Sequence, residues 1–459
     1  MYQINFQKPI HVHFIGIGGI SMSGLAEILL EEHFTVSGSD SKASPLTQLL
    51  ESKGAQIFIG QSAQNISGSC NLVVYTAAIH EDNPEYARAK ELGIPMLSRA
   101  ELLGQLMTNY KTAIAVSGTH GKTTTTSMIA SILMKARTDP TISVGGMLPL
   151  IGGNIRVGSS ETFLTEACEY TNSFLHFHPT IGIILNIEED HMDFFKDLAD
   201  IRNSFHRFAL LLPEHGLLIV NSEIESYEEI ARDVSCPVVT CGLLPSDTYR
   251  AADITYDSMA RASFTLIRKG TPGQRVSLGV PGLHNVHNAL AALALADALE
   301  IPPETACQGL RDFTGTDRRF QYRGEVQGFT VLDDYAHHPT EIRATLEAAR
   351  QYPHREIWCV FQPHTYTRTK AFLPDFARSL SLADHVVLAD IYAARETDTL
   401  GISSRDLLEE LEKLGTDAYY FSSFSEIESF LLKKCLHGDL CITMGAGNVV
   451  NIAENLISR

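Results

Sequence analysis

The chain has 459 residues, too many for one ordinary hydrophobic core, and at roughly 150 residues per domain this predicts about three domains. Hydrophobic residues make up 44% and charged residues 20%, which is typical of globular rather than disordered or fibrous proteins. The 36 basic and 54 acidic residues give a net charge of -18. Because such a field repels a phosphate backbone, we expect no nucleic acid partner.

No apolar run reaches the roughly 18 residues that a membrane-spanning helix needs, since even the longest, Ala289 to Leu299, is interrupted by Asp297. The segment Met1 to Lys8 lacks the charged and then apolar layout of a secretory signal. The eight cysteines contain no Cys-x-x-Cys pair, which predicts reduced, mostly buried thiols. We therefore expect a cytoplasmic protein without a membrane partner, and the sequence leaves its oligomeric state open.

Short β-rich runs alternate with helical patterns along most of the chain, which predicts an α/β fold with parallel sheets. The predicted strands are His11 to Ile15, Thr35 to Ser37, Leu72 to Tyr75, Thr112 to Val116, Phe163 to Thr165, Ile181 to Leu185, Phe329 to Leu332, Glu356 to Phe361, Val386 to Leu388 and Leu440 to Met444. The other predicted features are helices from about Ser21 to Glu32, from Lys122 onward and from Val286 to Leu299, irregular strands between 250 and 280, and a linker from Asp312 to Arg323. These patterns predict domains at 1–109, 110–319 and 320–459.

A glycine-rich turn, Gly16-Ile17-Gly18-Gly19-Ile20-Ser21, follows the first predicted strand and precedes the first helix. It resembles a dinucleotide-binding turn, although Ser21 stands where the third glycine belongs. Asp40 closes the second strand, about where an acidic residue meets a ribose hydroxyl. Taken alone, this segment is compatible with NAD, with a nucleotide-sugar or with no ligand.

The segment Ser117 to Thr124, with sequence SGTHGKTT, lies between a predicted strand and a predicted helix. Its glycines let backbone N–H groups approach phosphate oxygens, Lys122 can neutralise them, and the Thr123 hydroxyl can bind Mg²⁺. Val116 stands where the strict motif has glycine, so the turn is a shortened P-loop, Gly-x-x-Gly-Lys-Thr. Two phosphate-binding turns in one chain favour an enzyme that joins a nucleotide-linked substrate to ATP chemistry.

Acidic residues follow two further predicted strands, with Glu166 after one and the segment Asn186 to His191 after the other. A run of charge is commonly a solvated turn. Both groups, however, stand beyond the carboxyl ends of strands, where ligands of α/β proteins collect and where a P-loop finds its Mg²⁺ partners. The position therefore favours a metal-binding role.

These segments and four others occur in one order along nearly the whole chain. The four are His284 to Ala289, Arg318 to Phe320, Asp334 to Pro339 and Phe361 to His364. In this order the set resembles the Mur ligases. The resemblance implies an N-terminal Rossmann-like domain for a UDP-sugar, a central P-loop ATPase domain and a C-terminal Rossmann-like domain for an amino acid. It further implies an ATP-dependent ligase that joins L-alanine to the carboxylate of UDP-N-acetylmuramate through an acyl phosphate, in peptidoglycan precursor synthesis.

The resemblance also implies roles for individual residues. The UDP-sugar is expected at Gly18, Gly19 and Ser23, with Asp40 near the uridine. The residues expected to bind ATP are Gly118, Thr119, His120, Gly121, Lys122, Thr123, Thr124, Asn288, Arg319 and Asp334. Mg²⁺ is expected at Thr123, Glu166 and His191, and the alanine end at His338, His364 and Arg368. The residues expected to act in catalysis are Lys122, Glu166, His191 and Arg319.

The chain departs from the family pattern in three places. Relatives often have Glu-Ala-Asp-Glu-Ser-Asp where this chain has Glu166 to Thr171, EACEYT. Close relatives often continue Phe-Gln-Pro-His with Arg, but Thr365 stands here and leaves Arg368 as the nearest cation for a carboxylate. Ile201 to Phe208 contains no lysine, so we expect no lysine carbamate.

Three other functions compete with this one. A muropeptide-recycling ligase, which attaches a tripeptide to the same UDP-sugar, shares much of the pattern. An NAD-dependent oxidoreductase is supported only by the first glycine turn and Asp40, and a non-catalytic nucleotide sensor would bind ATP without turnover. His11, His13 and Trp358 lie on predicted strands and are expected to be packing residues.

Overall fold

The computed structural model describes residues 3–76, 78–394 and 396–458. Three β-sheets form within them, each from its own stretch of chain and each accompanied by helices. This confirms the expected three-part α/β architecture. The boundaries 1–109, 110–319 and 320–459 remain predictions, and we call the units around the three sheets the first, central and third domains.

The first domain contains a parallel five-stranded sheet. Its elements are β1 (His11–Ile15), α1 (Ile20–Glu31), β2 (Thr35–Asp40), α2 (Pro45–Ser52), β3 (Gln56–Ile59), β4 (Leu72–Tyr75), α3 (Pro84–Glu91), β5 (Met96–Ser98) and α4 (Arg99–Met107). The strand order is β3-β2-β1-β4-β5, so β1 is central and the first glycine turn lies at the carboxyl edge of the sheet. This is the edge where α/β sheets bind ligands.

The central domain contains a ten-stranded sheet. Its strands are β6 (Thr112–Ser117), β7 (Thr141–Leu148), β8 (Gly153–Arg156), β9 (Thr162–Ala167), β10 (Ile181–Ile184), β11 (Leu217–Asn221), β12 (Val238–Gly242), β13 (Tyr249–Tyr256), β14 (Arg261–Arg268) and β15 (Thr271–Pro281). Its helices are α5 (Lys122–Lys135), α6 (Leu198–Ala209), α7 (Tyr227–Ile230), α8 (His284–Ala298) and α9 (Pro303–Asp312). The order is β15-β14-β13-β12-β11-β10-β6-β9-β7-β8, and β6 pairs in parallel with both β9 and β10. The ends of β6, β9 and β10 therefore bring three motifs to one edge.

The third domain contains a six-stranded sheet in the order β16-β17-β21-β18-β19-β20. Its strands are β16 (Gln321–Val326), β17 (Phe329–Asp334), β18 (Ile357–Phe361), β19 (His385–Leu388), β20 (Asp417–Tyr420) and β21 (Leu440–Met444). Its helices are α10 (Pro339–Ala349), α11 (Tyr366–Ala371), α12 (Leu373–Leu380), α13 (Ser404–Lys413), α14 (Phe424–Lys434) and α15 (Val450–Ile457). The strands are parallel except for β16, which pairs antiparallel with β17.

The hydrophobic core of the first domain continues into the central domain. One cluster of buried side chains contains Val12 of β1, Leu106 of α4 and Phe174. The fit is close, because a Cβ on Gly104 of α4 would overlap the carbonyl oxygen of His176, and a Cβ on Gly24 of α1 would overlap the side chain of Ile155. The first and central domains are therefore joined by an apolar seam with no room for a methyl group at either glycine.

Of the three expected packing residues, His13 and Trp358 are buried, and His11 is half-buried with its Nε2 2.8 Å from the Ser37 hydroxyl oxygen. His13 faces the buried Glu85 carboxylate, and Trp358 donates to Asp439. The predicted linker from Asp312 to Arg323 extends too far. Asp312 ends α9 and Gln321 already begins β16, an edge strand whose half-exposed residues give no apolar run.

The cysteines and the helices agree with the sequence-based expectations. All eight cysteines are free, and six of them are buried. Within the described ranges, no helix combines the length and the apolar character needed to cross a membrane.

Candidate functional site

The P-loop turn follows β6 and leads into α5. Gly118 has φ +143° and Gly121 φ +81°, both in the left-handed region that favours glycine. A Cβ on Gly121 would lie 2.8 Å from Oδ1 of Asn288, so a side chain is excluded by space as well as by conformation. No side chain caps α5 at Gly121. The helix N-terminus therefore presents backbone N–H groups, the arrangement that binds phosphates.

Asn186, just after β10, fixes this turn. The His120 amide donates to the Asn186 side-chain oxygen at 2.7 Å, and the Asn186 side-chain amide donates to the His120 carbonyl at 3.0 Å. The Thr119 amide donates to the Asn186 carbonyl at 3.1 Å. Three hydrogen bonds from one residue hold the turn in a defined shape before any ligand binds.

Lys122, the first residue of α5, forms an ion pair with Glu169. Its Nζ lies 2.9 Å from Oε2 of Glu169, whose side chain is only 3% exposed, and it also donates to the carbonyls of Gly118 and Thr119. Burial alone would lower the pKa of Lys122, but the Glu169 carboxylate raises it above its ordinary value. The ammonium therefore stays charged in the turn where phosphates would bind.

The Thr123 hydroxyl, next to Lys122 in the sequence, is in contact with the Glu166 carboxylate. Thr123 Oγ1 donates to Oε2 of Glu166 at 3.0 Å, and the Gly145 amide donates to Oε1 of Glu166 at 2.5 Å. A Cβ on Gly145 would lie 2.9 Å from Oε2, so glycine keeps this space clear. Burial raises the pKa of Glu166. A hard divalent cation suits these oxygens and would favour the ionised carboxylate.

His191, the third expected metal residue, follows β10 with φ +54°. Its Nε2 lies 4.0 Å from Oε1 of Glu169 and 3.8 Å from Oδ2 of Asp190. Its ring is stacked against Tyr170, with the ring centroids 4.4 Å apart. His191 therefore joins the Lys122–Glu169 pair, while Thr123 and Glu166 form a separate contact.

His120 sits between two carboxylates from different parts of the chain. Its Nε2 is 3.4 Å from Oε2 of Glu188, and its Nδ1 is 3.4 Å from Oε1 of Glu341 in the first turn of α10. Burial opposes protonation, but the two carboxylates raise the pKa of His120 to about 9. The two carboxylates therefore favour the protonated form of the P-loop histidine, whose ring contacts both the central and the third domain.

Three consecutive residues of the central domain dock the third domain. Thr340 Oγ1 donates to Oε2 of Glu188 at 2.5 Å. His338 Nε2 lies 3.0 Å from the Glu189 carbonyl. Arg368 Nη2 donates to Oδ1 of Asp190 at 2.8 Å. We call Glu188, Glu189 and Asp190 the docking edge; its contacts are polar, unlike those of the apolar seam.

A cavity of about 530 Å³ opens beside the P-loop between the central and third domains, and we call it the nucleotide cavity. The expected site residues that line it are His120, Gly121, Thr124, Asn288, Arg319 and Asp334. Arg319 Nη1 lies 3.8 Å from Oε1 of Glu341. Asp334 accepts from the Phe320 and Ala336 amides at 2.7 Å each, and burial raises its pKa to about 6.

The first glycine turn forms a separate group at the edge of the first sheet. The Gly18 amide donates to Oδ2 of Asp40 at 2.9 Å, and a Cβ on Gly18 would lie 2.8 Å from that oxygen. Gly19 is the residue before α1, and the hydroxyl of the buried Ser23 donates to the Ile20 carbonyl of the same helix. Asp40 therefore caps the turn itself.

The structure brings most of the expected residues together around the P-loop, and it adds partners that the sequence analysis did not assign. Those partners are Glu169, Glu188, Asp190 and Glu341, each of which pairs with a cationic residue on the expected list. Glu169, Glu188 and Asp190 lie inside segments that the sequence analysis quoted as motifs. Glu341 had no such signal, because it meets His120 only through the packing of two domains.

The family models match nearly the whole chain. The Mur ligase family catalytic domain matches residues 11–111, the Mur ligase middle domain matches 116–296, and the Mur ligase glutamate ligase domain matches 318–447. The chain therefore belongs to the Mur ligase family, which confirms the resemblance found in its sequence.

Named relatives and solved structures show which members of the family this chain resembles. The UDP-N-acetylmuramate–L-alanine ligase of Agathobacter rectalis is 62% identical over 459 residues, covering all of both chains. The crystal structure of the UDP-N-acetylmuramate-alanine ligase of Thermotoga maritima matches with a TM-score of 0.81 and 30% identity, over 98% of this chain and 99% of that one. A murein peptide ligase of Psychrobacter arcticus matches with a TM-score of 0.71 and 27% identity, over 98% of both chains.

Proposed function

We propose that this chain ligates L-alanine to the carboxylate of UDP-N-acetylmuramate, consuming ATP and releasing ADP and phosphate, in peptidoglycan precursor synthesis. The observation that carries the proposal is the P-loop, which brings together the Lys122 ammonium and the Thr123–Glu166 contact and whose residues His120, Gly121 and Thr124 line a cavity of about 530 Å³. The full-length similarity to an L-alanine ligase at 62% identity supports this choice over the tripeptide ligase. Eight free thiols suit the reducing cytoplasm, where we place the reaction.

The chemistry follows from the low reactivity of a carboxylate. Its oxygen is a poor leaving group, so the γ-phosphate of ATP is transferred to it and ADP leaves. The alanine amine then attacks the acyl phosphate, forms the amide bond, and expels phosphate. Phosphoryl transfer depends on in-line positioning and on neutralising charge on the phosphate oxygens. Lys122 of the P-loop and Arg319, which lines the nucleotide cavity, supply that charge.

Mg²⁺ fits the donor set at the P-loop. Thr123 and Glu166 offer oxygen ligands in a space kept clear by Gly145, and His191 would hold a second ion on the substrate side. When bound, Mg²⁺ would screen the phosphate charge and polarise a phosphoryl oxygen, which would make the phosphorus easier to attack. The chain orients the hydroxyl and the carboxylate toward each other before the metal binds.

The residues expected to bind substrates fall into three groups. The ATP group is Gly118, Thr119, His120, Gly121, Lys122, Thr123, Thr124, Asn288, Arg319 and Asp334. The UDP-sugar group is Gly18, Gly19, Ser23 and Asp40. The amino-acid group is His338, His364 and Arg368. The separation between the turn of the first domain and the P-loop suits a long substrate whose uridine and carboxylate ends are bound by different domains.

A phosphate-release assay tests the proposal. Purified protein is supplied with UDP-N-acetylmuramate, ATP, Mg²⁺ and, in parallel reactions, L-alanine, glycine, L-serine or the muropeptide tripeptide. We expect phosphate release and an amide product that depend on the amino acid and are fastest with L-alanine. Preferential use of the tripeptide, or the absence of both ADP and amide, would reject the proposal.

A further inference from the structure

A second cavity, of about 370 Å³, lies between the central and third domains and shares no lining residue with the nucleotide cavity. Its walls come from residues 190–193 on one side, from 364–372 around α11 on the other, and from Glu396 and Leu400. Asp190 and Arg368 both line the cavity and are in direct contact with each other, and Lys370 also contributes to the lining. We call this space the small cavity.

Asp190 holds Arg368 from the opposite domain. Arg368 Nη2 and Nε donate to Oδ1 of Asp190 at 2.8 and 3.2 Å, and the two side chains are 10% and 8% exposed. Arg368 Nη1 lies 3.2 Å from Nδ1 of His364. A charge-assisted contact this well shielded from water fixes the plane of the guanidinium.

The guanidinium has donors left over. Its five N–H groups make contact through one hydrogen each on Nε, Nη1 and Nη2, so two N–H groups have no acceptor among the residues that the structure describes. The Lys370 ammonium, which donates to the Leu400 carbonyl at 3.2 Å, is a weaker candidate for an anion because Lys370 is exposed to water, whereas Arg368 is well shielded. The small cavity thus contains an oriented cation with unused donors, which matches a small carboxylate.

We propose that Asp190 is a positioning residue that orients Arg368 toward the α-carboxylate of the incoming amino acid. This inference rests on the proposed function. Asp190 belongs to the docking edge of the central domain, and Arg368 belongs to the third domain. The amino-acid site is therefore completed only when the third domain docks, and Asp190 links that docking to recognition of the amino acid.

The test variant is Asp190→Asn, which removes the charge of the side chain. It keeps an oxygen that can accept the hydrogen bond from the His191 amide, which Asp190 Oδ1 accepts at 2.7 Å. Loss of a hydrogen bond to a charged group weakens binding by about 10- to 100-fold. We expect the KM for L-alanine to rise by that factor, while the KM values for ATP and UDP-N-acetylmuramate and the Mg²⁺ activation constant change less than about threefold. Asp190→Glu, which restores the charge, recovers part of the loss.

Two further variants make the test specific. Asp375→Asn breaks an exposed Asp–Arg pair of α12 and should leave all constants unchanged. In an Arg368→Lys background, Asp190→Asn should add little, because both changes remove the same contact. The inference is overturned if wild type is active but Asp190→Asn leaves the KM for L-alanine unchanged. It is also overturned if the KM for UDP-N-acetylmuramate or the Mg²⁺ constant rises instead, or if the effects of Arg368→Lys and Asp190→Asn on the KM for L-alanine multiply in the double variant. Inactive wild type would refute the proposed function itself.

Discussion

Replacing Lys122 by methionine tests the buried ion pair of the P-loop. The change removes the ammonium 2.9 Å from a Glu169 carboxylate that is 3% exposed, and the next nitrogen, Nε2 of His191, is 4.0 Å away. A buried charge that loses its partner destabilises a protein by about 3–5 kcal/mol. Replacing Glu169 by glutamine in the same chain removes this unpaired charge, and so separates its cost from any other effect of the methionine.

We therefore expect Lys122→Met to destabilise the ligand-free chain by about 3–5 kcal/mol at pH 7, or about 6–20 °C in the melting temperature of the central domain. Scanning calorimetry measures this. The double variant Lys122→Met, Glu169→Gln should regain most of the stability but not the ATPase activity. A double variant as unstable as Lys122→Met would refute the reasoning.

Three other predictions follow from the geometry and chemistry of the site. Gly121→Ala should abolish measurable ATP binding in calorimetric titration, because its Cβ would meet Asn288; Gly415→Ala, with a similar φ of +77° and open space, should cost only about 1–2 kcal/mol of stability and leave binding intact. Because burial raises the pKa of Asp334 to about 6, this group contributes stability below pH 4 that is lost as the pH rises through 6; melting curves should show Asp334→Asn gaining up to about 3 kcal/mol relative to wild type between pH 4 and 7, and a constant difference would contradict this. The kcat/KM for L-alanine should rise with pH throughout the range from about pH 6 to 9, since the amine must be neutral to attack, and a flat profile over this range would argue against that step.

Local patterns predicted the centre of the site well. A buried strand, a glycine turn and a helix beginning at Lys122 are encoded within twenty residues, and the structure places each as expected. The first strand, β1, and the fourth, β4, match their predicted bounds because parallel strands covered on both faces are continuous apolar runs. Spacing along the sequence was sufficient to predict the site wherever the functional residues lie on one turn.

The parts that the sequence did not reveal depend on distant contacts or on half-exposed edges. Glu341 meets His120 and Asp190 meets Arg368 across more than 170 residues of chain, so no periodicity signals either pair. The strand β16 was predicted as linker because an edge strand with half-exposed residues lacks a buried face. Asp40 accepts from the Gly18 amide of the first glycine turn, 22 residues earlier in the chain, and the sequence analysis did not predict this contact.

The two joints of the molecule differ in mechanical character. The seam beside Gly104 and Gly24 is apolar and closely packed, so the first and central domains should move as one rigid body. The docking edge consists of hydrogen bonds and ion pairs, which water and salt can replace at small cost. Raising the ionic strength should therefore weaken the attachment of the third domain alone. This domain would then move relative to a rigid unit formed by the first and central domains.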